Sequence, residues 1–266
     1  MSILIRNATI VTQNARREIL QGDISIDGNR IAGIHNRGKG APLRAKTVID
    51  ASGKIAMPGL VNSHTHVSMT LMRGYGEDMD LHTWLEKRIW PAEASQTKEG
   101  REAAATLAFC EMVKSGTTSF MDMCAFDTKE IFDAARRVGI RGIIARSVMD
   151  FDDKSCLANQ LEGAKASLKY GDPLVRPSVS AHSAFTCSEE LLVKAKDLAK
   201  KEGKKFQIHV SETRKEIFDM LKKQGKYPYE YLDSIGLMDG NSVFVHGGWL
   251  TKKEISLAGK RGLSVA

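Results

Sequence analysis

From residue 54 onward the chain alternates between short apolar runs and longer amphipathic ones, and few folds accept that pattern. The strand-like runs cover residues 55–66, 117–123, 140–149, 175–183, 205–211, 242–246 and 263–266. Helix-like stretches lie between them, at 98–114, 128–138, 154–170, 188–202, 213–224 and 251–260, several opened by a capping hydroxyl such as Thr97, Thr128, Ser188 or Thr251. Strict alternation of β and α predicts a parallel sheet covered by helices. A TIM-type (β/α)8 barrel fits best, because the candidate functional residues fall where such a barrel builds its site, at the C-terminal ends of its strands. Residues 73–93, between the first strand and its helix, are long for a βα loop and predict an element that covers substrate.

Residues 1–53 break the alternation and predict a small N-terminal β unit, sandwich-like, packed on the rest of the chain. Ser2–Val11 reads as a strand, and Asp27-Gly28-Asn29 between apolar runs is a hairpin signal. Another short strand is expected at Thr47–Asp50. The barrel unit would then run from 54 to 266.

Composition excludes some functions. The net charge is +7, but Lys and Arg are interspersed with acids along helix-like segments, with no basic run carrying interleaved aromatics, so a solvated face is expected rather than a nucleic-acid partner. No run approaches the roughly 20 apolar residues of a membrane span, and no secretory leader pattern opens the chain. The four cysteines lack C-x-x-C spacing, as expected of reduced thiols in a cytoplasmic protein.

Function is concentrated in the histidines. His64 and His66 end the first strand, and residues i and i+2 of a strand share a side, so both imidazoles can reach one point. Imidazole suits zinc, and a catalytic site keeps a position open for water. His182, His209 and His246 end the fourth, fifth and sixth strands, and Glu212 follows His209 by three residues. Five of seven histidines thus sit at strand ends, which points to a metal or catalytic site. Of the other two, His35 reads as a solvated turn residue and His82 as an ordinary residue of the long loop, in preference to one that lines a pocket.

The run Met57-Pro58-Gly59-Leu60-Val61-Asn62-Ser63-His64-Thr65-His66, with Arg73-Gly74, Trp90-Pro91-Ala92-Glu93, His209-Val210-Ser211-Glu212 and Val245-His246-Gly247, resembles the amidohydrolase superfamily. Within it, the 5-methylthioadenosine/S-adenosylhomocysteine deaminases are the nearest pattern, over the whole chain. The resemblance implies one zinc per subunit, with iron or manganese as other candidates, held by His64, His66 and His209. It implies that Glu212 shuttles protons and contacts the purine, that His246 orients the attacking water, and that Glu93 holds the ribose. Arg146 and His182 match positions that contact the rest of the nucleoside. A small-molecule nucleoside, no nucleic acid, no membrane, and assembly as a homo-oligomer are the implied partners.

The chemistry is consistent with this. A bound metal lowers the pKa of water to about 7. Attack at C6 of adenine then requires that N1 gain a proton and ammonia leave, which a carboxylate within reach can serve. The fourth strand, Arg176 to His182, has no lysine, which favours a one-metal deaminase site over a two-metal ring-opening one. The chain ends inside the expected seventh strand, before the eighth that supplies an aspartate ligand in the family, so a C-terminally truncated barrel is expected. Other readings are a deaminase or chlorohydrolase of another aminopurine or triazine, and a non-catalytic nucleoside- or metal-binding fragment.

Overall fold

The apolar run 55–66 does not stay one strand. Pro58 has no N–H to give to a ladder, and Gly59 has no side chain to pack. The chain leaves one sheet there and enters another: Ile55–Ala56 pairs with the N-terminal strand, while Leu60–Thr65 joins the parallel sheet. In this computed structural model, which describes residues 2–36 and 44–266, the chain divides into two compact units, Met1–Leu60 and Val61–Ala266. Met1 and residues 37–43 of the expected N-terminal unit lie outside the described residues.

The first unit contains β1 (Ser2–Val11), β2 (Ile19–Asp27), β3 (Arg30–Asn36), β4 (Thr47–Asp50) and β5 (Ile55–Ala56). β1–β2 and β2–β3 are antiparallel, and β4 and β5 run parallel to β1. The hairpin expected at Asp27-Gly28-Asn29 is present, with Asp27 paired to Arg30 across a turn of two residues whose Gly28 takes a φ of 59°. Turns of this kind need positive φ to match strand twist. The expected sandwich-like unit is, among the described residues, a single five-stranded sheet with Ala8, Ile10, Ile24 and Ala51 as its buried centre. His35 is not in a turn. It lies in β3 with its Nε2 3.0 Å from the Ser25 hydroxyl, because β3 runs two residues beyond the apolar stretch that marked it.

The second unit is built on β6 (Leu60–Thr65), β7 (Thr117–Cys124), β8 (Arg141–Val148), β9 (Val175–Ser183), β10 (Phe206–Val210), β11 (Ser242–His246) and β12 (Ser264–Val265). They neighbour one another in chain order, from β6 to β12, and the registered pairs from β7 to β12 are parallel. This is the curled parallel sheet of a (β/α) barrel. The expected helices are α3 (Lys98–Lys114), α4 (Lys129–Val138), α5 (Leu157–Ser167), α6 (Glu189–Lys201), α7 (Arg214–Gln224) and α9 (Lys252–Arg261). Thr97, Ser188 and Thr251 each accept a backbone N–H at their helix start. Thr128 does not, because its ψ of 0° turns it away from the extended conformation that aims a capping side chain.

The long segment is itself helical. α1 (Leu81–Trp84), a π-turn (Leu85–Ile89) and α2 (Trp90–Ser95) follow one another, started by Asp80, which accepts the N–H groups of His82 and Thr83. A further helix, α8 (Pro228–Ser234), begins at a proline, which suits a first helical turn because that N–H has no partner to lose. The core forms where helices meet strands: Leu191, Leu192, Phe206, Phe244 and Leu232 in one cluster, and Phe109, Phe120, Phe132 and Ile144 in another. Among the described residues, no helix is long and apolar enough to cross a membrane.

Candidate active site

The strand ends converge on a cavity of about 350 Å³. His64, His66, Glu93, His182, His209, Glu212 and His246 all line it. Sequence reasoning missed most of its walls. They come from β7 (Met123), from β8 and the residue after it (Ser147, Met149), from the helical segment (Leu81, Trp84, Leu85, Ile89, Trp90) and from Phe185 after β9. The length of the 73–93 segment was the available signal. His82 is edge-on to Phe185 at 5.0 Å between ring centres and so stands behind the wall rather than in it.

Three imidazoles meet here. Ligand nitrogens of His64, His66 and His209 lie within 4.8 Å of one another. The tautomers follow from the hydrogen bonds. His66 Nδ1–H donates to the Met123 carbonyl and His209 Nδ1–H to the His182 carbonyl, both at 2.7 Å. A carbonyl only accepts, so each Nδ1 carries the proton and each Nε2 carries a lone pair. Those two Nε2 atoms face each other at 3.3 Å. Two lone pairs at that distance have no proton to share, and a cation between them would resolve the arrangement. His64 Nδ1 is also buried without a hydrogen-bond partner among the described residues. Burial pushes His64 and His182 down to about 3, and His66 and His209 are lowered for the same first reason. All are therefore neutral, the form that binds a metal. The donor set fits a borderline divalent ion.

The groups around them differ in character. His246 Nε2 is 3.5 Å from Glu212 Oε2. Burial, and then the nearby charge of Glu216, push the Glu212 carboxyl up to about 7. His246 has a φ of 82°, unusual for a residue with a side chain, and such strain gathers at functional sites. His182 Nδ1 is 2.9 Å from the Thr186 hydroxyl, which fixes its ring at the cavity wall.

Arg146 is not brought to this cavity. Side chains alternate along β8, and its neighbour Ser147 takes the inward place. The Arg146 guanidinium instead lies over Gly163 of α5, where even a methyl group would stand 2.4 Å from it. Its strand-end position was legible in the sequence, but which face it took was not.

Glu93 is 7% exposed on α2, and burial pushes its carboxyl up to about 7. The unfolded chain ionises near 4.5, so between about 4.5 and about 7 the folded state holds the extra proton. Stability must fall as pH rises through that window, by on the order of 3 kcal/mol at most. Glu93→Gln is therefore expected to unfold at a higher denaturant concentration than wild type at pH 8, and to differ much less at pH 5. Equal differences at both pH values would show that the buried carboxyl is not the source.

A curled parallel sheet with histidines gathered at the C-terminal ends of four strands defines the chain as a (β/α)-barrel protein with a histidine-centred site. The sequence profile of the Amidohydrolase family matches residues 55–266, and the chain belongs to that family. It is 40% identical over its whole length to a 5'-deoxyadenosine deaminase of Methanosphaera stadtmanae, and 35% identical to a 5-methylthioadenosine/S-adenosylhomocysteine deaminase of Thermococcus sibiricus. It spans 62% of the length of each of these curated relatives. The solved structure of an adenosine deaminase from Xanthomonas campestris with bound zinc is similar over 99% of this chain and 61% of its own, with a TM-score of 0.88 and 27% identity.

Proposed function

We propose that this chain carries the metal site of an aminohydrolase that replaces the exocyclic amine of an adenosine-type nucleoside by oxygen, releasing ammonia. The observation that carries this reading is the pairing of three neutral, converging imidazoles with a protonatable carboxyl, Glu212, beside His246 in one cavity. The names of the relatives support it: 5'-deoxyadenosine, 5-methylthioadenosine and S-adenosylhomocysteine are the substrates those names carry.

His64, His66 and His209 would hold one divalent ion, with zinc the leading candidate and iron or manganese the others. The ion would supply Lewis acidity, bringing a water to a pKa of about 7. His246 stands where it can accept a hydrogen bond from the attacking water and aim it. Glu212, with its pKa near 7, gives a proton to N1 of the purine and takes one from the water as oxygen attacks C6. The same carboxyl then hands that proton to the leaving amine, the C–N bond breaks as ammonia departs, and the proton left on the C6 hydroxyl returns to Glu212 as the carbonyl forms. Glu93 accepts from sugar hydroxyls, and His182 packs on the nucleoside. Trp84, Trp90 and Phe185 provide flat apolar faces for the base and the 5' group. The intact enzyme would be a cytoplasmic homo-oligomer, a state that sedimentation measures.

The test is ammonia release from 5'-deoxyadenosine, methylthioadenosine, S-adenosylhomocysteine and adenosine, with metal content measured on the same sample. It should be run on this chain and on one extended to the full length of the relatives. Deamination of at least one nucleoside by a metal-loaded sample is the expected result. Bound metal without ammonia from any of the four, in both lengths, would overturn the proposal in favour of a binding protein.

A further inference from the structure

Glu212 leaves β10 through a turn that its own sequence does not favour. Ser211 has a φ of 55°, in the left-handed region that side chains other than those of Gly, Asn and Asp avoid. The carbonyls of this turn are held from the β11 side: Gly247 N–H donates to Val210 at 2.9 Å, and Trp249 N–H donates to Ser211 at 3.2 Å. The N–H groups of Ser211 and Glu212 donate to the two oxygens of a single carboxylate, that of Glu216, at 2.8 and 2.9 Å. Glu216 is 2% exposed, and its own N–H donates to the Thr213 hydroxyl at 3.2 Å, so its place on the first turn of α7 is fixed.

We infer that Glu216 is a positioning residue for this reaction: a carboxylate clamp on the Ser211–Glu212 backbone that aims the Glu212 carboxyl at His246. The inference rests on the reading of Glu212 as the proton carrier. A buried carboxylate is costly unless its lone pairs are used, and here each oxygen receives a backbone N–H. Ordinary helix capping does not account for this. In the capping box of α9, Glu254 reaches back to the N–H and hydroxyl of its own N-cap, Thr251. Glu216 passes over its N-cap, Thr213, and binds the two residues that precede it, on the loop that carries Glu212. Its charge also adds to burial in keeping Glu212 protonated.

The test compares Glu216→Gln and Glu216→Ala with wild type, each as the metal-loaded chain in the length that turns over. Gln offers one acceptor oxygen and turns an NH2 toward the second N–H, so it breaks half the clamp; Ala breaks all of it. We expect kcat to fall by about 10- to 100-fold in Ala and less in Gln, as small misplacements of a reacting group do. KM and metal content should stay close to wild type. Amide hydrogen exchange at Ser211 and Glu212 should quicken while that of β10 does not. Wild-type kcat in Glu216→Gln together with unchanged exchange at Ser211 and Glu212 would overturn the clamp. If Ala fails to fold, Gln alone decides. If wild type releases no ammonia, the proposed function fails, while the exchange rates still decide whether Glu216 holds the turn.

Discussion

His209→Ala is expected to yield a folded protein that retains almost no divalent metal. His209 sits on β10 at 5% exposure, with its Nδ1 held by the His182 carbonyl and its Nε2 facing that of His66. Truncation leaves His64 and His66 on one strand end without the third member of their cluster. Losing an outer-shell partner costs about 10- to 100-fold in metal affinity, and losing a ligand must cost more. The truncation also removes a face-to-face approach of two lone pairs, which offsets part of the cost of the cavity and of the unpaired His182 carbonyl. Elemental analysis per chain, beside circular dichroism of the same preparation, measures both. Full metal retention would sink the ligand role of His209, and with it the three-histidine site.

Glu212→Gln should have the opposite signature: metal retained and ammonia release lost, by about 10²- to 10⁴-fold. The amide keeps the shape and the contact with His246 but cannot carry a proton from water to the ring and on to the leaving amine. In the empty site the Glu212 carboxyl is pushed up to about 7, protonated below that value and ionised above it, so the step that needs its proton is the one that fades as pH rises. Near-normal turnover by the variant would move the proton-carrying role elsewhere, with His246 next in line.

How much of this was legible in the sequence depended on periodicity. The alternation of strand and helix placed the barrel strands and their order, and His64 and His66 shared a target because strand residues two apart share a face. Where a residue's face depends on the exact register of a strand, position along the chain was not enough: Arg146 and Ser147 are neighbours, and only Ser147 faces the cavity. The split at Pro58 was hidden because apolar residues on both sides of it serve different sheets. Glu216 carried a signal that was there to be used. Thr213-Arg214-Lys215-Glu216 matches a capping box, although the carboxylate serves the residues before the cap instead. The length of residues 73–93 announced a covering element, but its helical form, like helix α8, was illegible because short helices leave too few periods to count.

The neutral imidazoles have a consequence for the order of events. In most sites the metal must displace protons from its ligands. Here burial lowers His64 to about 3 and His209 well below its ordinary value, so folding has already stripped them. Loading the ion at neutral pH would release almost no protons from these imidazoles, so any proton set free would come from the water or from Glu212. The acid sensitivity that metal sites usually show is transferred to the fold. The unfolded chain takes up protons at these histidines below about 6.5 and the folded chain does not, so the empty protein loses stability as pH falls from there toward about 3.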